Sequence, residues 1–350
     1  MNRVSRRGFV QTAGVLAAAP ALSAVAGRAE AQGNAAEPRV ETDIRFGRGG
    51  NKDLLLDVYH PVEGVPSKRM AIVHVFGGGF FVGNKNAGYI VNDARALARL
   101  GYTSVSATYR LQSEGLWPAQ IHDTKAAIRW TRANAGRLGI DPDKIAIAGS
   151  SAGGMLALMA AGTTGLEAFE GDSGIPGISS DVQACIGVYP LATAQMSPGL
   201  FPEGQATPDR IAAASPTSYI SPRFAPTILI HGTADNTVPV SSSVDFHNRL
   251  HALGVPTALT LIQGADHAFD NSAHDAIELM AKSIDLFLDR LLVNPTPYPP
   301  FGPPGGRDLA LVEERPAHPL DQPAGGRQRE LMGGELRPPR RVAHELHSER

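Results

Sequence analysis

Between residues 39 and 292, short apolar runs rich in β-branched side chains alternate with segments whose apolar positions recur at helical spacing. The runs over 70–76, 103–109, 145–149, 182–189, 227–231 and 259–262 are apolar almost throughout. That is the pattern of strands covered by helices on both faces. Helical patterns over 91–100, 118–135, 152–161, 240–253 and 274–292 lie between and after them. In the second of these, Ile121, Ala127, Ile128 and Trp130 fall near helical spacing, and Pro118 takes a permissible first-turn position. The alternation predicts an α/β fold, a mostly parallel central sheet flanked by helices. The first two strands, over 39–45 and 54–59, are close in sequence and are expected to form an antiparallel edge. A core of about 255 residues suits one domain.

Both ends differ from that core. Residues 1–31 carry Arg3, Arg6 and Arg7 and no acidic residue before Glu30. The run Ser5-Arg6-Arg7-Gly8-Phe9-Val10 matches a twin-arginine signal, with a weakly apolar stretch over 12–26 behind it. Ala29-Glu30-Ala31 offers a small-residue cleavage site, with Ala24-Val25-Ala26 as a competitor. A membrane span needs about 20 apolar residues; this stretch is shorter and is broken by Pro20. The expectation is a removable export signal and a periplasmic or secreted product, with no stable membrane span. From Asn294 to Arg350 the composition shifts to 11 Pro and 7 Gly, with eight Arg, eight acidic residues and no Lys. Without a sustained apolar period this segment cannot offset the entropy of ordering, and a solvated tail is expected. Residues 32–293 remain as the expected folded domain.

Composition narrows the possible functions. Lys plus Arg total 32 against 34 acidic residues, a net charge of −2 without a basic stripe, which argues against nucleic acid as a partner. The single Cys185 forms no intrachain disulfide and no zinc cluster. His122, His247, His251 and His274 sit on helical patterns and make up no complete set of metal ligands, so neither metal nor other cofactor is expected. Nothing in the sequence sets an oligomeric state.

The chemistry gathers where strands end. Ile145-Ala146-Ile147-Ala148-Gly149 runs into Ser150-Ser151-Ala152-Gly153-Gly154 and then a helical pattern. Gly149-x-Ser151-x-Gly153 is therefore G-x-S-x-G in a strand–turn–helix context, which presents Ser151 as a nucleophile at the strand's C-terminal end. Ser150 reads as a turn or cap residue. A hydroxyl needs a base. Asp235 follows the strand over 227–231, His267 follows the strand over 259–262, and the chain order Ser151, Asp235, His267 is that of this elbow motif. Asp266 and Asp270 are rival acids, one adjoining the base and the other closely following it. His231 is a rival histidine whose strand-end setting favours an orienting or packing role, and His74 reads as a core residue. After the first parallel strand, Gly77-Gly78-Gly79 lets the backbone aim N–H groups at a carbonyl. Gly78, Gly79 and Ala152 are the expected oxyanion donors. The loop lacks the Lys-Ser/Thr sequel and the G-x-G-x-x-G form of a phosphate loop.

On Gly77-Gly78-Gly79-Phe80, Asp141-Pro142-Asp143-Lys144-Ile145, Gly149-Ser150-Ser151-Ala152-Gly153-Gly154, His231-Gly232-Thr233-Ala234-Asp235 with Val238-Pro239, and Gly264-Ala265-Asp266-His267-Ala268-Phe269, the chain resembles an α/β-hydrolase-fold carboxylesterase. The group is the one related to hormone-sensitive lipase, especially its short-capped bacterial esterase/lipase and acetylxylan- or feruloyl-esterase-like members. The resemblance spans nearly all of the core. It implies Ser151 as nucleophile, Asp235 as acid, His267 as base, and Gly78, Gly79 and Ala152 as oxyanion donors. One position departs: Phe76 stands where that group usually has a His credited with bracing the glycine loop. His74, two residues earlier, is expected by strand alternation on the same face as Phe76 and so offers compensation.

Few residues precede the first strand once the signal is removed, so no large N-terminal lid is expected. The Pro-, Ala- and Ser-rich segment 191–224 is then the candidate cap. Phe80, Phe81 and Trp117 are expected to wall an acyl or aromatic pocket. The expected substrate is a small-molecule or polysaccharide-linked ester with a short acyl or aryl group. A serine peptidase of the same fold and a catalytically inactive binding protein are the alternatives.

Overall fold

The computed structural model describes residues 36–296. The expected export signal and nearly all of the expected tail lie outside them. Among the described residues eight strands form one sheet: β1 (Val40–Gly49), β2 (Lys52–Tyr59), β3 (Ala71–Val75), β4 (Thr103–Ala107), β5 (Ile145–Ser150), β6 (Ala184–Val188), β7 (Thr227–Gly232) and β8 (Thr257–Ile262). Their spatial order is β1-β2-β4-β3-β5-β6-β7-β8. The pairs β1/β2 and β2/β4 are antiparallel, and β3 to β8 run parallel with β4. Among the described residues β2 is thus the one reversed strand, antiparallel to both of its neighbours, β1 and β4.

The helices are α1 (Gly88–Ala98), α2 (Ala119–Ala133), α3 (Ala135–Leu138), α4 (Ala152–Gly162), α5 (Pro208–Ala213), α6 (Ser241–Ala252) and α7 (His274–Leu288). Side chains alternate across the sheet as its pleat requires. Ala71, Val73 and Val75 join Val105, Ile145 and Ile147 in one buried layer, whereas Met70 and Ile72 join Ala146, Ala148, Ile186 and Ile230 in the other. Helix α4 is buried from Ala152 to Ala161, which explains why its sequence is small and apolar on every side. Helix α7 buries Ala276, Ile277, Met280, Ala281, Ile284 and Leu288 as a stripe. None of the described helices is long and apolar enough to cross a membrane.

Segment 191–226, between β6 and β7, holds short 3-10 turns and α5. It contributes Leu191, Met196 and Ser197 to a cleft of about 520 Å3 at the C-terminal rim of the sheet. That rim is where parallel strands bring their loops together.

Candidate active site

Ser151 sits between β5 and α4 at φ 55, ψ −119. A non-glycine residue there carries about 1–3 kcal/mol of strain, sustained only by its surroundings. Its N–H donates to Val188 O at 3.0 Å, and its carbonyl accepts from Met155 N at 3.1 Å and Leu191 N at 3.3 Å. The flanking glycines permit the elbow. A Cβ on Gly149 would lie 2.2 Å from Gly153 O, and one on Gly153 would lie 2.2 Å from Val75 O.

The loops after β7 and β8 complete a chain of hydrogen bonds. His267 Nε2 accepts from Ser151 Oγ at 3.1 Å, and His267 Nδ1 donates to Asp235 Oδ2 at 2.8 Å. Asp235 has no exposed side-chain surface. Its Oδ1 accepts from the backbone N–H of Thr237 and Val238, both at 2.8 Å. His231, also buried, brings Nε2 to 3.2 Å from Asp235 Oδ2 and 3.0 Å from Val238 O, while its Nδ1 accepts from Ser243 Oγ at 2.8 Å. A carbonyl only accepts, so Nε2 carries the proton and His231 is a neutral donor; burial holds its pKa below the usual histidine range. Three hydrogen bonds to one buried carboxylate, with His231 Nε2 alongside, offset its desolvation and fix its orientation.

The rival acids lie elsewhere. Asp266 is exposed and accepts from the N–H of Asn236 at 3.1 Å and of His267 at 2.7 Å, which shapes the turn beneath the imidazole. Asp270 is buried against the Tyr189 hydroxyl.

The glycine loop faces this array. Gly78 and Gly79 line the cleft beside Ser151, and Ala152 opens α4. The N–H groups of Gly78, Gly79 and Ala152 find no protein acceptor among the described residues. Phe76 is buried, its ring stacked on Tyr109 at 4.2 Å and 14°, and its carbonyl accepts from Tyr109 Oη at 3.0 Å. Gly77 N–H donates to Tyr89 Oη at 2.9 Å. The expectation about His74 is corrected here. Strand β3 ends at Val75, alternation lapses beyond it, and Phe76 joins the layer of Val73 and Val75. His74 instead bonds Ser104 Oγ at 3.1 Å on the opposite face, where burial pushes its pKa down to about 3. The tyrosines Tyr89 and Tyr109 tie down a loop that a histidine was expected to hold.

The pocket walls also differ from expectation. Phe81 lines the cleft and is 57% exposed. Phe80, at φ 72, turns into the core edge-on to Tyr109 at 6.4 Å. Trp117 is half-buried against Phe169 at 6.3 Å and does not line the cleft. Apolar rings pack wherever they exclude water, so sequence alone does not separate a cleft wall from a core. Val82, Tyr89, Leu191 and Met196 line the cleft instead. Sequence reasoning did not find Tyr89, Tyr189 or the His231–Asp235 contact; each depends on loops meeting across the sheet.

The strained elbow, the rim of parallel strands and the glycine loop define an α/β-hydrolase of the kind related to hormone-sensitive lipase. The BD-FAE family model matches residues 56–250, more than half of the chain, and the chain belongs to that family. It is 32% identical to the esterase LipQ of Mycobacterium tuberculosis over 262 residues, covering 71% of this chain and 61% of that protein. A truncated carbohydrate esterase from gut microbiota is similar in structure, with TM-score 0.62, 26% identity, and coverage of 73% of this chain and 98% of that one. So is the propionate-bound Est2 esterase of the planctomycete Thermogutta terrifontis, with TM-score 0.59, 30% identity, and coverage of 74% and 97%. The chain spans about three fifths of the length of LipQ and of two further Mycobacterium tuberculosis relatives, LipM and LipC, from 58% to 64%.

Proposed function

We propose that the chain is a serine carboxylesterase that hydrolyses short-chain acyl or aryl esters, including acetyl or feruloyl groups on polysaccharide, through an acyl-enzyme. The observation that carries this reading is the unbroken chain Asp235–His267–Ser151, at 2.8 and 3.1 Å, opening on the cleft. In this reading Ser151 Oγ attacks the ester carbonyl while His267 Nε2 takes its proton, and Asp235 steadies the imidazolium. Gly78, Gly79 and Ala152 donate to the oxyanion. His267 returns the proton to the departing alcohol, and a water attacks the acyl-enzyme by the reverse use of the same groups. A cleft of about 520 Å3, walled by Phe81, Val82, Leu191 and Met196, suits a short acyl or aryl group. The propionate bound to the similar Thermogutta terrifontis esterase favours the same size class.

Ser151→Ala tests the assignment on a series of p-nitrophenyl esters of graded chain length, with acetylated xylan and methyl ferulate alongside. Turnover should fall by about 10^4-fold or more with the fold intact. Activity within about tenfold of the parent contradicts the nucleophile, and a preference for long chains contradicts the substrate class. We further propose export by the twin-arginine route to the periplasm or exterior, supported by Arg6 and Arg7 ahead of the weakly apolar stretch.

A further inference from the structure

A second polar cluster lies directly against the imidazole and takes no part in the chemistry above. Asp270 is fully buried, and Tyr189 Oη lies 2.6 and 2.7 Å from its two carboxylate oxygens, which share the phenolic proton. The Tyr189 ring rests on the His267 ring at 4.5 Å and 57°, and meets Phe269 edge to face at 5.4 Å. Two residues on these segments adopt left-handed backbone, Tyr189 at φ 36 and Ala268 at φ 56. Such strain persists only where the surroundings enforce it. Helix α1 supplies part of that enforcement: Asn92 Nδ2 donates to Asp270 O at 3.0 Å and to Asn271 O at 3.2 Å. Ser150 is buried beside the elbow.

We infer that Tyr189 and Asp270 position His267. The carboxylate anchors the phenol, the phenol ring holds the imidazole in the orientation that reaches Ser151 and Asp235 together, and the negative charge of Asp270 favours the imidazolium that forms during attack. The inference rests on the reading of His267 as base. The groups facing His267 are Ser151, Asp235, Tyr189, His231 and Asp266, and those acting on Asp270 are Tyr189, Tyr89, Ser150, Asp93 and His267. Burial pushes the Asp270 carboxyl up to about 6, so the anchor is charged above that pH and neutral below it. Tyr189 and Asp270 are positioning residues; neither needs to touch the ester.

The test uses the full chain with Tyr189→Phe, Asp270→Asn and, as reference, His267→Ala. Each is measured for kcat and KM on p-nitrophenyl acetate from pH 5 to 9, and for thermal stability. Tyr189→Phe keeps the ring and loses the anchor; kcat should fall about tenfold with KM within about twofold. Asp270→Asn should lower kcat similarly and move the acid limb of the profile about 1 pH unit lower, because an anion that favoured the imidazolium is gone. A merely structural role would lower stability and leave kcat per folded site and the limb in place. The inference is overturned if both variants fold and keep parental kcat and limb position. Should Asp270→Asn fail to fold, Tyr189→Phe decides alone. Activity surviving in His267→Ala would overturn the base assignment itself, whereas an inactive His267→Ala beside parental Tyr189→Phe and Asp270→Asn overturns only this inference.

Discussion

Ser151 holds a backbone conformation that the free chain avoids, and the surrounding atoms leave it little choice. Its N–H and carbonyl are both engaged, and Gly153 packs against the carbonyls of Val75 and Phe76 so closely that no side chain fits. Both neighbours are backbone, so Gly153→Ala forces the elbow away from β3 rather than a side chain out of the way. The expected cost is about 3 kcal/mol, read as a drop in the denaturant midpoint, with esterase activity falling alongside it. Unchanged stability would show that the elbow tolerates a wider approach than its geometry allows. The elbow was legible in the sequence because strand, small residues and helix are contiguous there. Asp235 and His267 were legible for a related reason: each follows an apolar run directly, and parallel strands deliver such positions to one rim. Phe80 and Trp117 were misread because an apolar ring carries no local sign of which cavity it fills. His74 was misread because alternation was extended one residue past the end of β3.

At the scale of elements, α1 braces two parts of the site at once. Tyr89, near its start, accepts from the glycine loop, while Asn92 holds the turn after His267. Asp93 on the same helix is buried, and one of its carboxylate oxygens has no hydrogen-bond partner among the described residues. Burial, and then the nearby charge of Asp270, hold its carboxyl well above the usual aspartate range. The sign of the resulting pH dependence follows directly. For Asp270 the ordinary value is 3.8 and the folded value about 6. Through that window the folded chain retains protons the unfolded chain has released, so stability falls as pH rises. Asp93→Asn removes one of the two costly charges. Its melting temperature should exceed the parent's at pH 7.5, and the difference should vanish near pH 4.5. A constant offset at both pH values would show that the carboxylate pair does not set this dependence. None of this was readable from sequence, since Asp93, Tyr189 and Asp270 belong to three segments that only the folded sheet brings together.

For the whole molecule, the α/β alternation in the core was legible because strands covered on both faces are apolar throughout and helices keep their own period. The pairing of β2 with β4 was not, because such a pairing leaves no periodic trace. The ends make a separate prediction. Replacing Arg6 and Arg7 together by Lys should leave the chain unprocessed and inside the cell, as cell fractionation would show; normal export of that variant would contradict the twin-arginine reading. The central claim is that Ser151 is an activated nucleophile in an ester-hydrolysing site. Its most direct measurement is peptide mapping by mass spectrometry after reaction with a fluorophosphonate, with esterase activity followed in parallel. The account predicts one adduct, on Ser151, accumulating in step with the loss of activity. An adduct on another residue, or full activity in chains carrying the Ser151 adduct, would contradict it.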